Sequence, residues 1–400
     1  MLSTILAQQN PWWETGKLKI KLFPRAIENE LLKNISDSKI LGLIGSRQVG
    51  KTSLMLFLIH HLLKKVPPKD ILYFNLDDIL IHELFSTPSR FLEYLRPEGY
   101  SKKYIFIDEV QRLKNPGLFL KTIVDLRLPL KIIVSGSSQL EMRSKLKEFL
   151  VGRMRQFMIR SFTFSETRNV YPRHVAEDIL ESSMMFGGYP AIVKERHIEN
   201  KKNLLQDIYK TYLQKDVSDF AKIDDIGAFN NLLIILAAQI GGLLNIYSLA
   251  KTLRISSYTV SHYLDILENT AIIYRLRPFF RNYKKEIAKT PKIYFLDLGL
   301  RNFLINDWKP LALREDRGKL FENFILLELI GNDSSEHHRF SFWRTTNQTE
   351  IDFIQSDGLK LAAIEAKWNK KTFPKAFSTF KKYYPGSRMK VITRENFSGC

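Results

Sequence analysis

Nine consecutive residues decide the fold of this chain: Gly45-Ser46-Arg47-Gln48-Val49-Gly50-Lys51-Thr52-Ser53. A short apolar run at residues 40–44 precedes them, and a segment with helical apolar spacing at residues 54–59 follows. This order predicts a strand, a glycine loop and a helix, with the spacing GxxxxGKT across the loop. The glycines allow the backbone to curl so that successive N–H groups point at phosphate oxygens, and the helix adds its positive N-terminal end.

The loop at residues 45–53 is therefore predicted to bind ATP. Lys51 is long enough to reach the β- and γ-phosphates, which makes it a candidate catalytic residue as well. The Thr52 hydroxyl is suited to binding Mg²⁺. The alternative is a chance match in a glycine-containing loop, and the flanking strand and helix argue against it.

Composition narrows the class of protein. Hydrophobic residues make up 44% and charged residues 26% of the 400 residues, as in an ordinary globular protein. The formal net charge of +19 favours phosphate-rich partners, nucleic acid before an anionic membrane. A generically basic surface is the alternative. The single cysteine, Cys400, excludes disulfides and cysteine-ligated zinc within the chain.

The sequence carries no sign of a targeting or membrane-spanning segment. No basic start followed by a long apolar run stands at the N-terminus. The longest nearly apolar run, residues 232–244, contains Gln239 and two glycines and is too short to cross a bilayer. We therefore expect a soluble, cytoplasmic protein with no membrane partner.

Three further apolar runs, at residues 70–78, 104–109 and 131–138, alternate with helical stretches. Such runs predict a parallel sheet covered on both faces, with ligands beyond the carboxyl ends of its strands. Asp108 is then expected to hold Mg²⁺, and Glu109 to orient and deprotonate the attacking water. Solvated turn acids are the alternative. Ser137 is the candidate sensor of the γ-phosphate, with Ser135 and Ser138 as rivals.

In their order and spacing, GSRQVGKT, IFIDEVQ and IIVSGSSQ resemble the AAA+ ATPases, and within them the prokaryotic group with a C-terminal nuclease-like domain. The resemblance implies that Arg153 is an arginine finger acting on a neighbouring subunit, and therefore that the protein is a homo-oligomer. Arg143, Arg155 and a basic surface for nucleic acid are the competing interpretations. Pro190, in Gly187-Gly188-Tyr189-Pro190, matches a lid motif that contacts the nucleotide, although a helix-capping turn explains the pattern equally well.

Residues 248–253 and 258–268 predict the two helices of a helix-turn-helix, with their small and apolar residues on the inner face. Residues 272–279 and 292–296 then predict the two strands of a wing. Between residues 275 and 292 there are seven lysines or arginines and one acid. A basic wing beside a recognition helix predicts binding to DNA, duplex or branched. Contacts to protein partners are the alternative.

A second set of chemical residues lies near the C-terminus. Residues 321–329 predict an amphipathic helix, and residues 340–344, 350–354 and 361–367 predict strands. A hairpin of this spacing brings Asp352 close to Glu365, with Lys367 on the same face as Glu365. Two carboxylates bind Mg²⁺, and the lysine helps to orient the attacking water. The pattern looks like the PD-(D/E)xK nuclease core, with Glu322 as the acid of its first helix; a protein-interaction domain that inherited these acids is the alternative.

The sequence thus predicts an α/β protein in four parts. These are a P-loop AAA+ ATPase core with an N-terminal arm at residues 1–162, a helical lid at 163–224, a winged helix at 225–308 and a PD-(D/E)xK nuclease-like domain at 309–400. The predicted function is an Mg²⁺-dependent ATPase that binds DNA, couples nucleotide state to DNA handling and, in the strongest form, cleaves DNA. The alternative is a nucleotide-dependent switch or scaffold whose C-terminal domains bind proteins and have no nuclease activity.

Overall fold

Four largely buried strands and one partly exposed strand form a five-stranded parallel sheet in the N-terminal part of the chain. The computed structural model describes residues 2–96, 103–136, 150–211, 223–280, 289–333, 337–358, 360–369 and 372–397. The strands are β1 (Ile40–Ile44), β2 (Ile71–Asn75), β3 (Lys103–Asp108), β4 (Leu130–Gly136) and β5 (Met154–Met158). They pair in the order β2-β3-β4-β1-β5. The predicted parallel sheet is confirmed, and β4 lies between the strands that carry the glycine loop and the paired acids.

Helices accompany this sheet. They are α1 (Leu2–Gln9), α2 (Trp12–Thr15), α3 (Glu28–Asn34), α4 (Lys51–Leu62), α5 (Ile79–His82), α6 (Pro88–Leu95) and α7 (Pro116–Asp125). The core includes a group of aromatic rings from β2, α6, α7 and the segment after α5: Phe74, Phe85, Phe91 and Phe119. Large apolar areas of this kind supply the main stabilisation of the fold.

The N-terminal arm covers the edge strand β2. Asn10 forms two hydrogen bonds with the backbone of Tyr73, at 2.9 Å to its carbonyl and 2.7 Å from its N–H. The indole N–H groups of Trp12 and Trp13 both donate to the carbonyl of Ile71, at 3.0 and 2.9 Å. Because an edge strand exposes unpaired backbone groups, these side chains take the place of a further strand. The aromatic residues of the arm therefore have a structural role that their sequence pattern did not specify.

The C-terminal part is mainly helical and ends in a mixed sheet. Its helices are α8 (Phe164–Arg168), α9 (Ala176–Phe186), α10 (Pro190–Lys194), α11 (Ile198–Ile208), α12 (Ile226–Ala238), α13 (Ile246–Leu253), α14 (Ser257–Asn269), α15 (Leu298–Leu304), α16 (Arg317–Asn332) and α17 (Lys375–Tyr383). Strands β6 (Ile273–Leu276) and β7 (Lys292–Phe295) form an antiparallel ribbon. Strands β8 (Arg339–Arg344), β9 (Glu350–Ser356), β10 (Leu361–Lys367) and β11 (Arg388–Thr393) form a sheet in the order β11-β10-β9-β8. Only the β10–β11 pair is parallel in that sheet, and α17 connects its two strands.

The ribbon after α14 is shorter than the predicted wing. Pairing of β6 with β7 ends at Leu276, and the next residues pair with β8 instead. The N–H of Phe342 donates to the carbonyl of Arg277 at 3.0 Å, and the N–H of Phe279 donates to the carbonyl of Phe342 at 2.6 Å. The same chain segment therefore serves both the ribbon and the edge of the C-terminal sheet, which local strand propensity does not reveal.

Contacts divide the chain into two compact units, Met1–Arg160 and Ser161–Cys400. The finer division of the second unit at residues 163–224, 225–308 and 309–400 stays a prediction. Among the described residues, no helix combines the length and apolarity needed to cross a membrane.

Glu328 connects two helices of the second unit. Its buried carboxylate accepts hydrogen bonds from the N–H of Phe164 at 2.6 Å and from the hydroxyl of Ser165 at 3.1 Å, at the start of α8. Burial raises the pKa of Glu328 to about 7, against the opposing effect of these donors. In the unfolded chain the same group would lose its proton near pH 4.5. The folded state therefore holds the extra proton between these two values, and the stability that it contributes is lost as the pH rises through them.

We predict that Glu328→Gln removes this pH dependence, because the amide is neutral at every pH. The free energy of unfolding of the variant should rise relative to wild type by up to about 1.4 kcal/mol per pH unit between about pH 5 and 7. Urea unfolding of the second unit at several pH values measures the difference. Glu199→Gln, a change at an exposed carboxylate, is the control. A difference between Glu328→Gln and wild type that stays constant with pH would contradict the assignment.

Candidate functional site

Asp108 lies at the centre of the first candidate site. It is the last residue of β3, it is 2% exposed, and its carboxylate accepts hydrogen bonds from three hydroxyl groups. Thr52 and Tyr73 donate to Oδ2, at 2.6 and 2.8 Å, and Ser135 donates to Oδ1. These donors come from the start of α4, from β2 and from β4. The carboxyl ends of adjacent parallel strands thus bring the residues together, as the sequence predicts for Thr52 and Asp108.

The glycine loop is held by close backbone packing. A side chain at Gly45 would place its Cβ 2.1 Å from the carbonyl oxygen of Ile159. Gly50 has φ +95°, a left-handed conformation that glycine adopts without strain. Arg25 donates from its guanidinium to the carbonyl of Val49 at 3.1 Å and to that of Arg160 at 2.7 Å. The arm residue Arg25 therefore ties the loop to the segment that follows β5.

Lys51 lies inside the loop and is 5% exposed. Its ammonium donates to the carbonyls of Gly45 and Ser46, at 3.1 and 2.9 Å. Burial lowers the pKa of Lys51, and the carboxylates of Glu109 and Asp108 oppose that shift. A buried ammonium at the first turn of a helix, where the backbone N–H groups carry partial positive charge, fits the phosphates of a nucleotide. The rest of the predicted loop surrounds it: Ser46 and Val49 are buried, while Gln48, Thr52 and Ser53 are exposed.

Glu109 has an unusual backbone. Its φ of +57° is left-handed, which is rare for a residue other than glycine and is often found at functional sites. Its N–H donates to Oδ1 of Asp108 and to the hydroxyl of Ser135, both at 3.1 Å. Burial raises the pKa of the Glu109 carboxyl, with Lys51 acting in the opposite direction, and the side-chain amide of Gln111 donates to it. A carboxylate with a raised pKa is a better proton acceptor, which suits the predicted role.

These residues fit ATP with Mg²⁺. The neutral hydroxyl of Thr52 and the carboxylate of Asp108 are oxygen ligands of the kind that Mg²⁺ prefers, and they are in direct contact. The loop N–H groups and Lys51 would hold the phosphates. Sequence reasoning missed Tyr73, the second hydroxyl on Asp108. The signal was present, since a tyrosine inside a buried apolar strand requires a partner for its hydroxyl.

Arg153 lies near the start of β1, at the opposite end of that strand from the glycine loop. It precedes the first residue of β5, and its guanidinium pairs with Asp125 at 2.9 Å. The arginine therefore does not reach the loop of its own chain, and its predicted action on a neighbouring subunit stays a prediction. The rival Arg155 pairs with Asp37 at 3.6 Å. The predicted sensor Ser137 and the alternatives Ser138 and Arg143 lie outside the described residues.

The glycine pair before Pro190 has a structural role within the second unit. Gly187 has φ +75°, and a Cβ there would lie 2.1 Å from the Asp297 carboxylate. The N–H of Gly188 donates to Asp297 at 2.9 Å. Burial raises the pKa of Asp297 to about 6 against the effect of its backbone donors. Pro190 is the first residue of α10, and its contact with a nucleotide stays a prediction.

The structure also brings together the C-terminal acids. The N–H of Asp352 donates to Oε2 of Glu365 at 3.3 Å, and Oδ2 of Asp352 accepts from the N–H of Ala366 at 3.0 Å. Lys367 pairs with Oε1 of Glu365 at 2.6 Å. Burial raises the pKa of Asp352 well above its usual value, and the nearby carboxylates of Glu322 and Glu365 raise it further.

Sequence reasoning missed Lys292, a buried cation in this acidic cluster. Its ammonium lies 3.1 Å from Oε1 of Glu322 and 2.6 Å from Oε1 of Glu350. Across the residues that the structure describes, no group of three or more His, Cys, Asp or Glu side chains is arranged to hold a metal ion. The oxygens of Glu322 and Glu350 face lysine and arginine side chains, so we derive no reaction step from this cluster. The available signal was a lysine at the start of the apolar run that predicts the strand at residues 292–296.

Family models match three parts of the chain. Residues 37–168 match a family model described as an AAA domain, which confirms that part of the resemblance. Residues 177–310 and 317–397 match two models described as domains of unknown function, DUF8612 and DUF4143. Neither description names a nuclease or a winged helix.

Curated relatives carry no stated activity. An uncharacterized protein of Haemophilus influenzae is 25% identical over 300 residues, which cover 72% of this chain and 73% of that protein. An uncharacterized protein of Mycobacterium tuberculosis is 26% identical over 258 residues, which cover 64% of this chain and 56% of that protein. The chain thus spans between about half and three quarters of the length of these two relatives.

Two similar solved structures are proteins in complex with DNA. The Aeropyrum pernix ORC1 protein in complex with DNA aligns with 75% of this chain and 97% of its own, at 13% identity and a TM-score of 0.31. The replication initiator DnaA bound to AMPPCP and single-stranded DNA aligns with 60% of this chain and 86% of its own, at 16% identity and a TM-score of 0.30.

We predict that Thr52→Val removes the gain in nucleotide affinity that Mg²⁺ provides, because the methyl group cannot bind the ion. Tyr73→Phe is the matched control: it also removes one hydrogen bond to Oδ2 of Asp108 but leaves the Thr52 hydroxyl in place. Titration of a fluorescent ATP analogue with Mg²⁺ and with EDTA measures both variants. Equal loss of the Mg²⁺ effect in the two variants would mean that Thr52 acts through Asp108 and does not bind the metal.

Proposed function

We propose that this chain is an Mg²⁺-dependent ATP hydrolase that binds DNA and couples its nucleotide state to DNA handling. The observation that carries the proposal is the meeting of Lys51, Thr52 and Asp108 at one edge of the sheet, with Glu109 beside them. These residue types in this arrangement supply a phosphate cradle, two oxygen ligands for Mg²⁺ and a proton acceptor.

Each residue has a defined task in hydrolysis. The loop N–H groups and the Lys51 ammonium bind and orient the phosphates, and Thr52 and Asp108 would hold Mg²⁺, which neutralises charge on the phosphate oxygens. The Glu109 carboxylate accepts the proton of the attacking water. Gln111 donates to that carboxylate and so holds its orientation. Assembly into a homo-oligomer, with Arg153 supplied to the site of a neighbour, forms part of the same proposal.

An exposed polar and aromatic surface supports DNA as the partner of the second unit. The end of α13 and the start of α14 expose Lys251, Arg254 and Tyr258, the last with 82% of its surface accessible. Two acids of α14, Asp265 and Glu268, are paired with Arg275, which reduces their repulsion of phosphate. Basic and aromatic groups of this kind contact phosphates and bases. The predicted wing lysines Lys284 and Lys285 lie outside the described residues, and Lys289 is exposed.

DNA cleavage is not included in this proposal. The proximity of Asp352, Glu365 and Lys367 favours a nuclease centre, because these are the residue types that the predicted chemistry requires. Oδ2 of Asp352 and both oxygens of Glu365, however, already accept hydrogen bonds or an ion pair from the protein.

We predict that Glu109→Gln keeps ATP binding and lowers turnover by about 10²- to 10⁴-fold, because it keeps the shape of the side chain and removes the base. Lys51→Ala should lose tight nucleotide binding. Asp77→Asn, which neutralises a half-exposed carboxylate nearby, is the control and should leave turnover unchanged. Phosphate release and nucleotide binding are the measurements. Wild-type turnover in Glu109→Gln would show that another group acts as the base.

We predict that the double variant Lys251→Glu/Arg254→Glu weakens binding to duplex DNA of any sequence, because both residues are exposed cations near the exposed ring of Tyr258. The slope of log affinity against log salt concentration should flatten by roughly two units. The matched control is Lys381→Glu/Lys382→Glu in the last turn of α17. Weakening by the control variant alone would move the DNA site to the C-terminal sheet domain, and absence of duplex binding at low salt would favour the protein-binding switch or scaffold.

A further inference from the structure

Lys292 is buried where a charged side chain is costly. It begins β7, pairs with Leu276 across the ribbon, and is 1% exposed. Its ammonium lies 5.5 Å from the centre of the Phe342 ring, in addition to the two carboxylates that it contacts. Burying an ammonium is unfavourable unless opposite charges compensate for the lost water. The surrounding acids raise the pKa of Lys292 despite its burial, so the side chain is charged.

The carboxylates around Lys292 are already engaged by protein donors. Oε1 of Glu322 accepts from Lys292 and from the hydroxyl of Tyr294, while Oε2 accepts from Lys319 at 2.8 Å. The second oxygen of Glu350 faces Arg344 at 3.5 Å. A divalent cation needs several carboxylate or carbonyl oxygens at about 2.0 to 2.6 Å, directed at one point. Here the ammonium groups of Lys292 and Lys319 supply the positive charge that a divalent cation would supply.

We propose that Lys292 is a built-in cation that takes the place of a metal ion in the C-terminal acidic cluster, and that it thereby joins the β6–β7 ribbon to α16 and to β9. The cluster is then a structural junction and not a metal-dependent nuclease centre. The contacts of its neighbours fit this role. Asn323, next to Glu322 on α16, exchanges two hydrogen bonds of 2.9 Å with the backbone of Phe295 at the end of β7. The inference goes beyond ATP hydrolysis and DNA binding and does not depend on either.

The experiment compares Mn²⁺ binding and thermal unfolding of the full chain without nucleotide. In Lys292→Met the acids lose their internal cation, so Mn²⁺ should raise the unfolding midpoint of the second unit by about 5 °C or more. That gain should disappear in Lys292→Met/Asp352→Asn, which separates it from metal binding near Thr52. Lys319→Met is the matched control, because Lys319 contacts the same Glu322 carboxylate from a half-exposed side chain and should gain no metal response.

A second set of measurements uses wild-type protein and therefore does not depend on the folding of any Lys292 variant. The amount of Mn²⁺ bound, measured by electron paramagnetic resonance, should be the same for wild type and Asp352→Asn. Supercoiled DNA should stay intact with wild type and either Mg²⁺ or Mn²⁺. The proposal is overturned if wild type binds Mn²⁺ or cuts DNA in a manner lost in Asp352→Asn, or if folded Lys292→Met shows no metal response.

Discussion

The first candidate site depends on one buried carboxylate. Asp108 is buried inside the first unit, and the hydroxyls of Thr52, Tyr73 and Ser135 donate hydrogen bonds to its carboxylate in place of water. Those three donors belong to a helix and to two strands, so a shift in the register of the sheet or in the position of α4 would break a hydrogen bond to Asp108. Glu109 follows directly, and its left-handed backbone directs its N–H back to the same carboxylate.

The second unit satisfies its buried polar groups in a similar way, over longer sequence distances. Asn323 pairs with the backbone of Phe295, Asp297 accepts from Gly188, and Glu328 accepts from the start of α8. Each of these contacts joins segments that the sequence assigned to different domains. Because a buried polar group without a partner is costly, these contacts constrain how the segments pack. The predicted lid, winged helix and C-terminal domain therefore share one compact unit.

The two acidic sites of the chain differ in the charge of their donors. The hydroxyl of Thr52, which donates to Asp108, is neutral and can exchange that hydrogen bond for a metal ion. Glu322 faces the ammonium groups of Lys292 and Lys319, which would repel an incoming divalent cation. Residue type and spacing suggest Mg²⁺ at both sites. The neutral hydroxyl of Thr52 supports Mg²⁺ at the Asp108 site, whereas the lysines beside Glu322 do not support it at the C-terminal site.

The sequence by itself determined the glycine loop, the parallel strands and the residues at their carboxyl ends, because short-range spacing controls a strand–loop–helix unit. It also brought Asp352 and Glu365 together, since a hairpin aligns them. Only the tertiary structure decided that Tyr73 supports Asp108, that the arm covers β2, and that Lys292 lies among the C-terminal acids. These contacts join residues far apart in the chain, and side-chain periodicity within one element contains no information about which distant charge will be buried against it.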